Sequence, residues 1–267
     1  MPTECICCER PELQAHLRGL LRCPRCGHVC ADLELSGEEL RRLYSAEYFK
    51  GAEYRDYERE RPALRRNFRR ALRDLRAVHP PGARLWEVGA AYGYFLHEAA
   101  GHFQVAGCDI SETAARAARE RLGLDVHCMD YLGKEPGDPY DVVCLWDTVE
   151  HLAEPGLYLA KAAAELLPGG TLALTTGDIG SLHARLRGPR WRLIHPPTHL
   201  HYFTAKSIRR LLERLGFHRV RIRHRSFWRS ADAAAYALLC RTDSQRRRRL
   251  YKHLDRLGVL RFSSPLN

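Results

Sequence analysis

From Leu85 onward the chain alternates short apolar runs with stretches whose apolar residues recur every three or four positions. The runs "ARLWEVG", "QVAGCDI", "LDVHCMD", "YDVVCLWDT" and "GGTLALTT" read as strands. Such alternation of strand with helix predicts a parallel sheet covered on both faces. Between and after them, "YFLHEAAG", "SETAARAARERLG", "GLYLAKAAAELL" and "TAKSIRRLLERLG" carry helical spacing. The expected fold class is α/β, a Rossmann-like doubly wound and mostly parallel sheet with helices on both faces. "HRVRIRHRSF" alternates residue by residue and is expected as an edge strand.

Upstream, Leu64, Phe68, Leu72 and Leu75 mark one apolar face of a charged helix that "HPPG" at 79–82 ends. Ser36 with Glu39 three residues later forms an expected capping box. The chain divides into a ribbon at 1–35, a helical cap or linker at 36–80, a nucleotide-binding domain at 81–230 and a basic helix with tail at 231–267. A lid insertion is expected at about 178–203.

Six of the ten cysteines fall within the first 30 residues, which favours metal binding over disulfide bridges. Cys5 and Cys8 form one C-x-x-C, Cys23 and Cys26 a second, and two such knuckles complete a tetrahedral, structural zinc site. Cys7 and Cys30 are competing thiols, and Cys7 is a substitute for Cys5 or Cys8 in the ligand count.

The decisive stretch is "LWEVGAAYGYFLHEAAGHFQVAGCDIS". Glu87 ends the first strand and Gly89 and Gly93 bare the following turn, while Asp109 ends the second strand 22 residues later. A carboxylate in that second position accepts hydrogen bonds from a ribose diol. The turn lacks G-x-G-x-x-G, and Glu87 would repel a pyrophosphate but attract a cation. A positively charged nucleoside without phosphates fits, and S-adenosylmethionine (SAM) is such a ligand.

At these residues the chain resembles the class I SAM-dependent methyltransferases, with matching motifs from about Trp86 to Phe217. "EVGAAYGYF" resembles the first motif, with Ala91 where the family has glycine, and "CDIS" resembles the second. "LWDTVEHLAEP" resembles the small-molecule branch that includes ubiquinone O-methyltransferases. Cysteine knuckles, "LYSAEYF" and "RGPRWRLIHPPTHLHYFT" together are similar to zinc-ribbon methyltransferases of sugar and secondary-metabolite pathways. The resemblance implies cofactor contacts from Glu87, Gly89, Ala91, Tyr92 and Gly93, then from Asp109 and Ile110. It further implies Met129, Asp130 and Tyr131 near adenine, and Trp146 and Asp147 after the fourth strand. Tyr44, Tyr48 and Phe49 would close over the cofactor or, equally, pack between helix and sheet.

An oxygen acceptor needs a proton removed, and histidine is the usual agent near neutral pH. His151, beside Glu150, and His199, within "HPPTHLHYF", are the candidate catalytic residues. The alternatives are structural: packed rings, or a Glu150–His151 pair supporting the cofactor pocket. Trp191 and Arg187 to Arg192 line either an acidic substrate's site or a basic lid surface.

Net charge of +11 and a pI near 9.3 admit two rival readings. One is an RNA methyltransferase using the ribbon and Arg246 to Arg249 as phosphate contacts. The other is a non-catalytic adaptor presenting Leu250, Leu254, Leu257 and Leu260 to a partner or anionic membrane. The strand-four exit "LWDT" is not the N/D-P-P-Y of base amino methylation, and a small-molecule acceptor is the leading expectation. No run approaches the roughly 18 apolar residues of a membrane span, and residues 1–30 lack a charged-then-apolar leader, so a cytoplasmic location is expected.

Overall fold

Five of the apolar runs form one parallel sheet in the computed structural model. That structure describes residues 4–17, 19–33, 35, 36, 39, 43, 57–230, 232, 235, 236, 239, 245–256 and 263–266. The strands are β4 (Arg84–Val88), β5 (Gln104–Asp109), β6 (Val126–Cys128), β7 (Tyr140–Trp146) and β8 (Leu166–Thr175), in the order β6-β5-β4-β7-β8. From β4 the chain builds outward through β5 and β6, then returns to the other side of β4 for β7 and β8. Strand order therefore reverses between β4 and β7, where open α/β sheets place their ligands at the carboxyl ends.

Alternate residues of the strands point to two apolar layers. Leu85 and Val142 face α1 (Tyr57–Arg76), α2 (Tyr94–Ala99) and α3 (Glu112–Leu122) through Phe68, Leu72, Phe95, Leu96 and Ala118. Trp86, Val88, Val143 and Leu145 face the opposite layer. There Leu159 of α4 (Pro155–Glu165) and Ile208 and Leu211 of α6 (Ala205–Arg214) pack beside the amino-terminal cysteines. The sheet is doubly wound, as its apolar runs imply. Arg65 and Arg69 of α1 clamp Glu98 of α2, tying that helix pair over the first turn.

The expected capping box is present: Ser36 Oγ accepts from Glu39 N at 3.2 Å, while Ser36 N and Oγ donate to the Glu39 carboxylate. A second caps α6, where Thr204 and Ser207 exchange side-chain and backbone hydrogen bonds. Ser111 stands at the N-cap of α3 as expected, but its hydroxyl makes no capping bond.

One expectation is corrected. Residues 218–226 form no strand, although Val220 and Ile222 are half-buried and the intervening arginines exposed. The alternation there records which side chains face the core, with no ladder partner. Only β10 (Phe227–Ser230) is a strand, paired antiparallel with β11 (Ser263–Leu266) and clasped by Asn67 of α1, which exchanges two 2.9 Å hydrogen bonds with the Trp228 backbone. The insertion carries elements of its own. Beyond the short helix α5 (Leu182–Arg187), it ends in β9 (His201–Tyr202), which becomes the fourth strand of the amino-terminal sheet. That sheet is β1 (Gln14–Ala15), β2 (Leu20–Arg22), β3 (Val29–Ala31) and β9, in that order and antiparallel. The end of the insertion is thus paired with β3. Among the described residues no helix is long and apolar enough to cross a membrane. The basic segment near the carboxyl end is helical over Gln245–Arg256, now α7.

Candidate active site

The turn after β4 is built by its glycines and by Asp109. Gly89, Ala91 and Gly93 have φ of 75°, 48° and 73°, the left-handed region that favours glycine. Ala91 occupies it at a cost of about 1 kcal/mol. That strain is held by the Ala91 amide, which donates to Asp109 Oδ2 at 2.8 Å; the Ser111 amide donates to Asp109 Oδ1 at the same distance. Asp109 thus orders the turn as well as lining it. Burial nevertheless pushes its carboxyl above the ordinary value. Glu87 is 2% exposed, and its Oε2 has no hydrogen-bond partner among the described residues. Burial first, then the neighbouring Asp109 charge, pushes its carboxyl well up. An orphaned buried carboxylate oxygen is costly unless a cation or donor completes it.

The remaining expected cofactor residues divide by position. Ile110 is exposed at the rim, and the Met129 amide donates to the Asp109 carbonyl at 3.0 Å. Asp130 is exposed, accepting from Tyr158 Oη and the Leu132 amide. Tyr131 turns away: its side chain is core, with its hydroxyl on Glu165, so a contact to adenine from this residue falls to the backbone. Tyr92 is buried beside Tyr94. Trp146 packs edge-on to Phe95, with its Nε1 unpartnered among the described residues. Asp147 has φ of 49° and is locked to Thr175 by its amide and its carboxylate. Tyr44, Tyr48 and Phe49 lie outside the described residues.

The opposite wall is the single turn Val149–His151 after β7. It touches the first turn directly, because a β-carbon at Gly89 would lie 2.7 Å from Thr148 Oγ1. Glu150 is buried, with Oε2 unpartnered among the described residues, and burial together with Asp147 pushes its carboxyl up to about 8. His151 Nδ1 donates to the Thr198 carbonyl at 2.8 Å, and the Asp147 backbone adds a second hydrogen bond to the residue. Its ring centre lies 4.6 Å from that of His199, which in turn lies 4.0 Å from His195. Burial lowers His151 to about 4 and His199 to about 2, so both rings are neutral at pH 7. One ligand atom each from Glu150, His151 and His199 falls within 4.8 Å of the others.

The four expected cysteines converge: Cys5 Sγ lies 3.5 Å from Cys26 Sγ, and Cys8 Sγ lies 3.5 Å from Cys23 Sγ. A tetrahedron of Zn–S bonds of about 2.3 Å has edges of about 3.8 Å, so the quartet fits that ion with small adjustment. Cys7 is buried against Cys5 and Cys26, and Cys30 sits in β3. Sequence reasoning missed Thr148, Thr175 and the His28–His201 pair described below. Only the histidine-rich "HPPTHLHYF" hinted at the last.

A family profile described as a methyltransferase domain matches residues 57–222, which span both turns and the whole insertion. The chain belongs to this methyltransferase family. Its methyltransferase domain is 32% identical over 125 residues to a ubiquinone biosynthesis O-methyltransferase of Nitrobacter winogradskyi, covering 43% of this chain and 46% of that protein. A protein of the same description from Caulobacter is 35% identical, covering 36% and 41%. The chain thus spans just under half the length of the curated relatives it matches. In fold it is similar to magnesium protoporphyrin IX methyltransferase of Synechocystis, with TM-score 0.53 and 18% identity, covering 69% of this chain and 91% of that one.

Proposed function

We propose that the chain is a SAM-dependent methyltransferase acting on a small-molecule acceptor, at oxygen. The observation that carries the reading is the deeply buried Glu87 carboxylate beside Asp109, one oxygen of which has no partner among the described residues, at a turn built for close approach and hostile to phosphate. The relatives described as ubiquinone biosynthesis O-methyltransferases support the oxygen acceptor. SAM supplies an electrophilic methyl group when bound. Glu87 offers the charge complement to a cationic ligand, Asp109 the ribose acceptor, and the backbone of Gly89 to Gly93 the close approach. Ile110, Met129, Asp130, Trp146 and Asp147 form the remainder of the cofactor cleft.

His151 is the candidate base for the acceptor's proton, its ring held in place by the Thr198 carbonyl. His199 and Glu150 shape the site around that ring, and positioning of the acceptor against the methyl contributes most of the rate. One observation favours a second reading: Glu150, His151 and His199 present a carboxylate and two neutral imidazoles within reach of one divalent ion, a set suited to anchoring adjacent acceptor hydroxyls. Broadening of the Mn²⁺ electron paramagnetic resonance signal by the wild type but not by Glu150→Gln would select it. Cys5, Cys8, Cys23 and Cys26 hold a structural zinc ion. The ribbon, cap, nucleotide-binding domain and basic tail, and a cytoplasmic location, are part of the same reading.

The test is a native mass spectrum with and without SAM, followed by incubation with 3,4-dihydroxybenzoate as a probe acceptor. One zinc and one SAM per chain, with methylated probe, support the proposal. Zinc retention with no SAM adduct at any concentration removes it.

A further inference from the structure

We propose that the amino-terminal ribbon braces the acceptor site through the segment 198–206, and that His28 and His201 are positioning residues for the Glu150–His151 turn. The two regions meet through the segment 198–206, which is held from both sides. On the ribbon side, β3 pairs with β9, Cys30 opposite His201, and the Ala31 amide donates to the Leu200 carbonyl at 2.8 Å. On the catalytic side, the Leu200 amide donates to the Glu150 carbonyl at 2.9 Å, and the Thr198 carbonyl receives His151 Nδ1–H at 2.8 Å. The backbone of 198–200 is therefore the common partner of β3 and of both proposed active-site residues in the turn.

The histidine pair runs parallel to that path. His201 Nε2 lies 3.2 Å from the Ala153 carbonyl, an acceptor only, so the proton sits on Nε2 and Nδ1 is a lone pair. His28 Nε2 lies 3.3 Å from that Nδ1 and must be the donor. Both rings are buried and stacked, with centroids 5.4 Å apart, and Phe203 closes the group at 5.0 Å from His28. The contact thus has one direction, from the residue two beyond Cys26 to the loop two beyond His151. The knuckles grip the same segment and α6. Thr204 Oγ1 donates to the Cys26 carbonyl at 3.2 Å, Lys206 Nζ to the Arg25 carbonyl at 3.0 Å, and Arg214 to the Ile6 carbonyl at 2.9 Å. A ribbon serving as a separate recognition module would not need its fourth strand drawn from the segment that carries His199.

The metal arm of the test rests on the proposal that the cysteines hold zinc; the histidine arm does not. Amide hydrogen exchange is followed by mass spectrometry on wild type, His201→Ala and His201→Gln, which can still donate to Ala153. Zinc content comes from native mass spectra and SAM affinity from calorimetry. In His201→Ala, exchange in 148–153 and 198–203 is expected to rise at least 10-fold, while 85–93 stays protected, zinc is retained and SAM affinity holds within threefold. His201→Gln recovers most of the protection. Chelation of zinc from the wild type reproduces the same two loosened segments. Unchanged protection of 148–153 in His201→Ala overturns the proposal, as does uniform loosening that includes 85–93 in both variants. A wild type free of zinc overturns the metal reading alone, and the histidine comparison still decides this one.

Discussion

Gly89→Ala tests how tightly the two turns of the cleft depend on each other. At φ of 75°, an alanine costs about 1 kcal/mol for its left-handed backbone. Its β-carbon would also stand 2.7 Å from Thr148 Oγ1, 2.8 Å from Cγ2 and 3.3 Å from Cβ. The first two contacts are shorter than side chains tolerate, so Thr148 must rotate and lose its hydroxyl's 3.2 Å bond to the Trp146 carbonyl, worth about 1 kcal/mol. With residual crowding of about 1 kcal/mol, the single substitution should destabilise the fold by about 3 kcal/mol. Thr148→Ala alone should cost about 1 kcal/mol, the lost hydroxyl bond. In the double variant the two shortest contacts disappear, and the backbone cost and the lost hydroxyl bond remain, with little crowding left from the 3.3 Å contact. The pair should then cost about 2 kcal/mol rather than the additive 4, a coupling of about 2 kcal/mol. Urea unfolding of the four proteins at equal m-values measures the cycle. Additivity within about 0.5 kcal/mol would refute the claim that the turns are in contact.

Other outcomes follow from the site's charges and ligands. Because burial raises Glu87 and Asp109, each holds its proton above the ordinary carboxylate range, and a cation favours the ionised forms. SAM affinity should therefore rise with pH above that range, with protons released on binding, as calorimetry in buffers of different ionisation enthalpy detects. His151, lowered to about 4, should titrate far below a free histidine, so the midpoint of its ring C2 hydrogen exchange should lie near 4 to 5; a midpoint at 6.5 would place the ring in open solvent. Cys26→Ser should lose the bound zinc and several kcal/mol of stability, read as a fall in the thermal midpoint together with metal content. Binding to a labelled RNA, if the basic α7 serves only as a solvated surface, should show no steep dependence on salt concentration.

The parallel sheet was legible because its central strands β4 and β7 are buried on both faces and read as apolar runs, and because strand patterns alternate with helical ones along the chain. Glu87 and Asp109 were legible because an acid closing such a run stands at the carboxyl end of a strand, where ligands bind. Elsewhere the determinants are not local. β9 is two residues long and exists through pairing with β3, about 170 positions away, and nothing around His201 and Tyr202 signals a strand. The segment 218–226 has the right alternation but no neighbour with which to form a ladder. Tyr131 follows Asp130 directly, yet its side chain goes to the core because Glu165 of α4 receives its hydroxyl there. The closeness of Gly89 to Thr148 is likewise a product of β4 lying beside β7.

The central claim is that the Glu87–Asp109 cleft binds a cationic nucleoside, and calorimetric titration of SAM into wild type and Asp109→Ala tests it most directly. Asp109 holds two backbone amides and is the proposed ribose acceptor, and charge-assisted hydrogen bonds of this kind contribute about 1.5–3 kcal/mol each. The account predicts one SAM per wild-type chain and at least about a 10-fold loss of affinity in a variant that remains folded by circular dichroism. Equal binding by the two proteins, or none by the wild type, would contradict it.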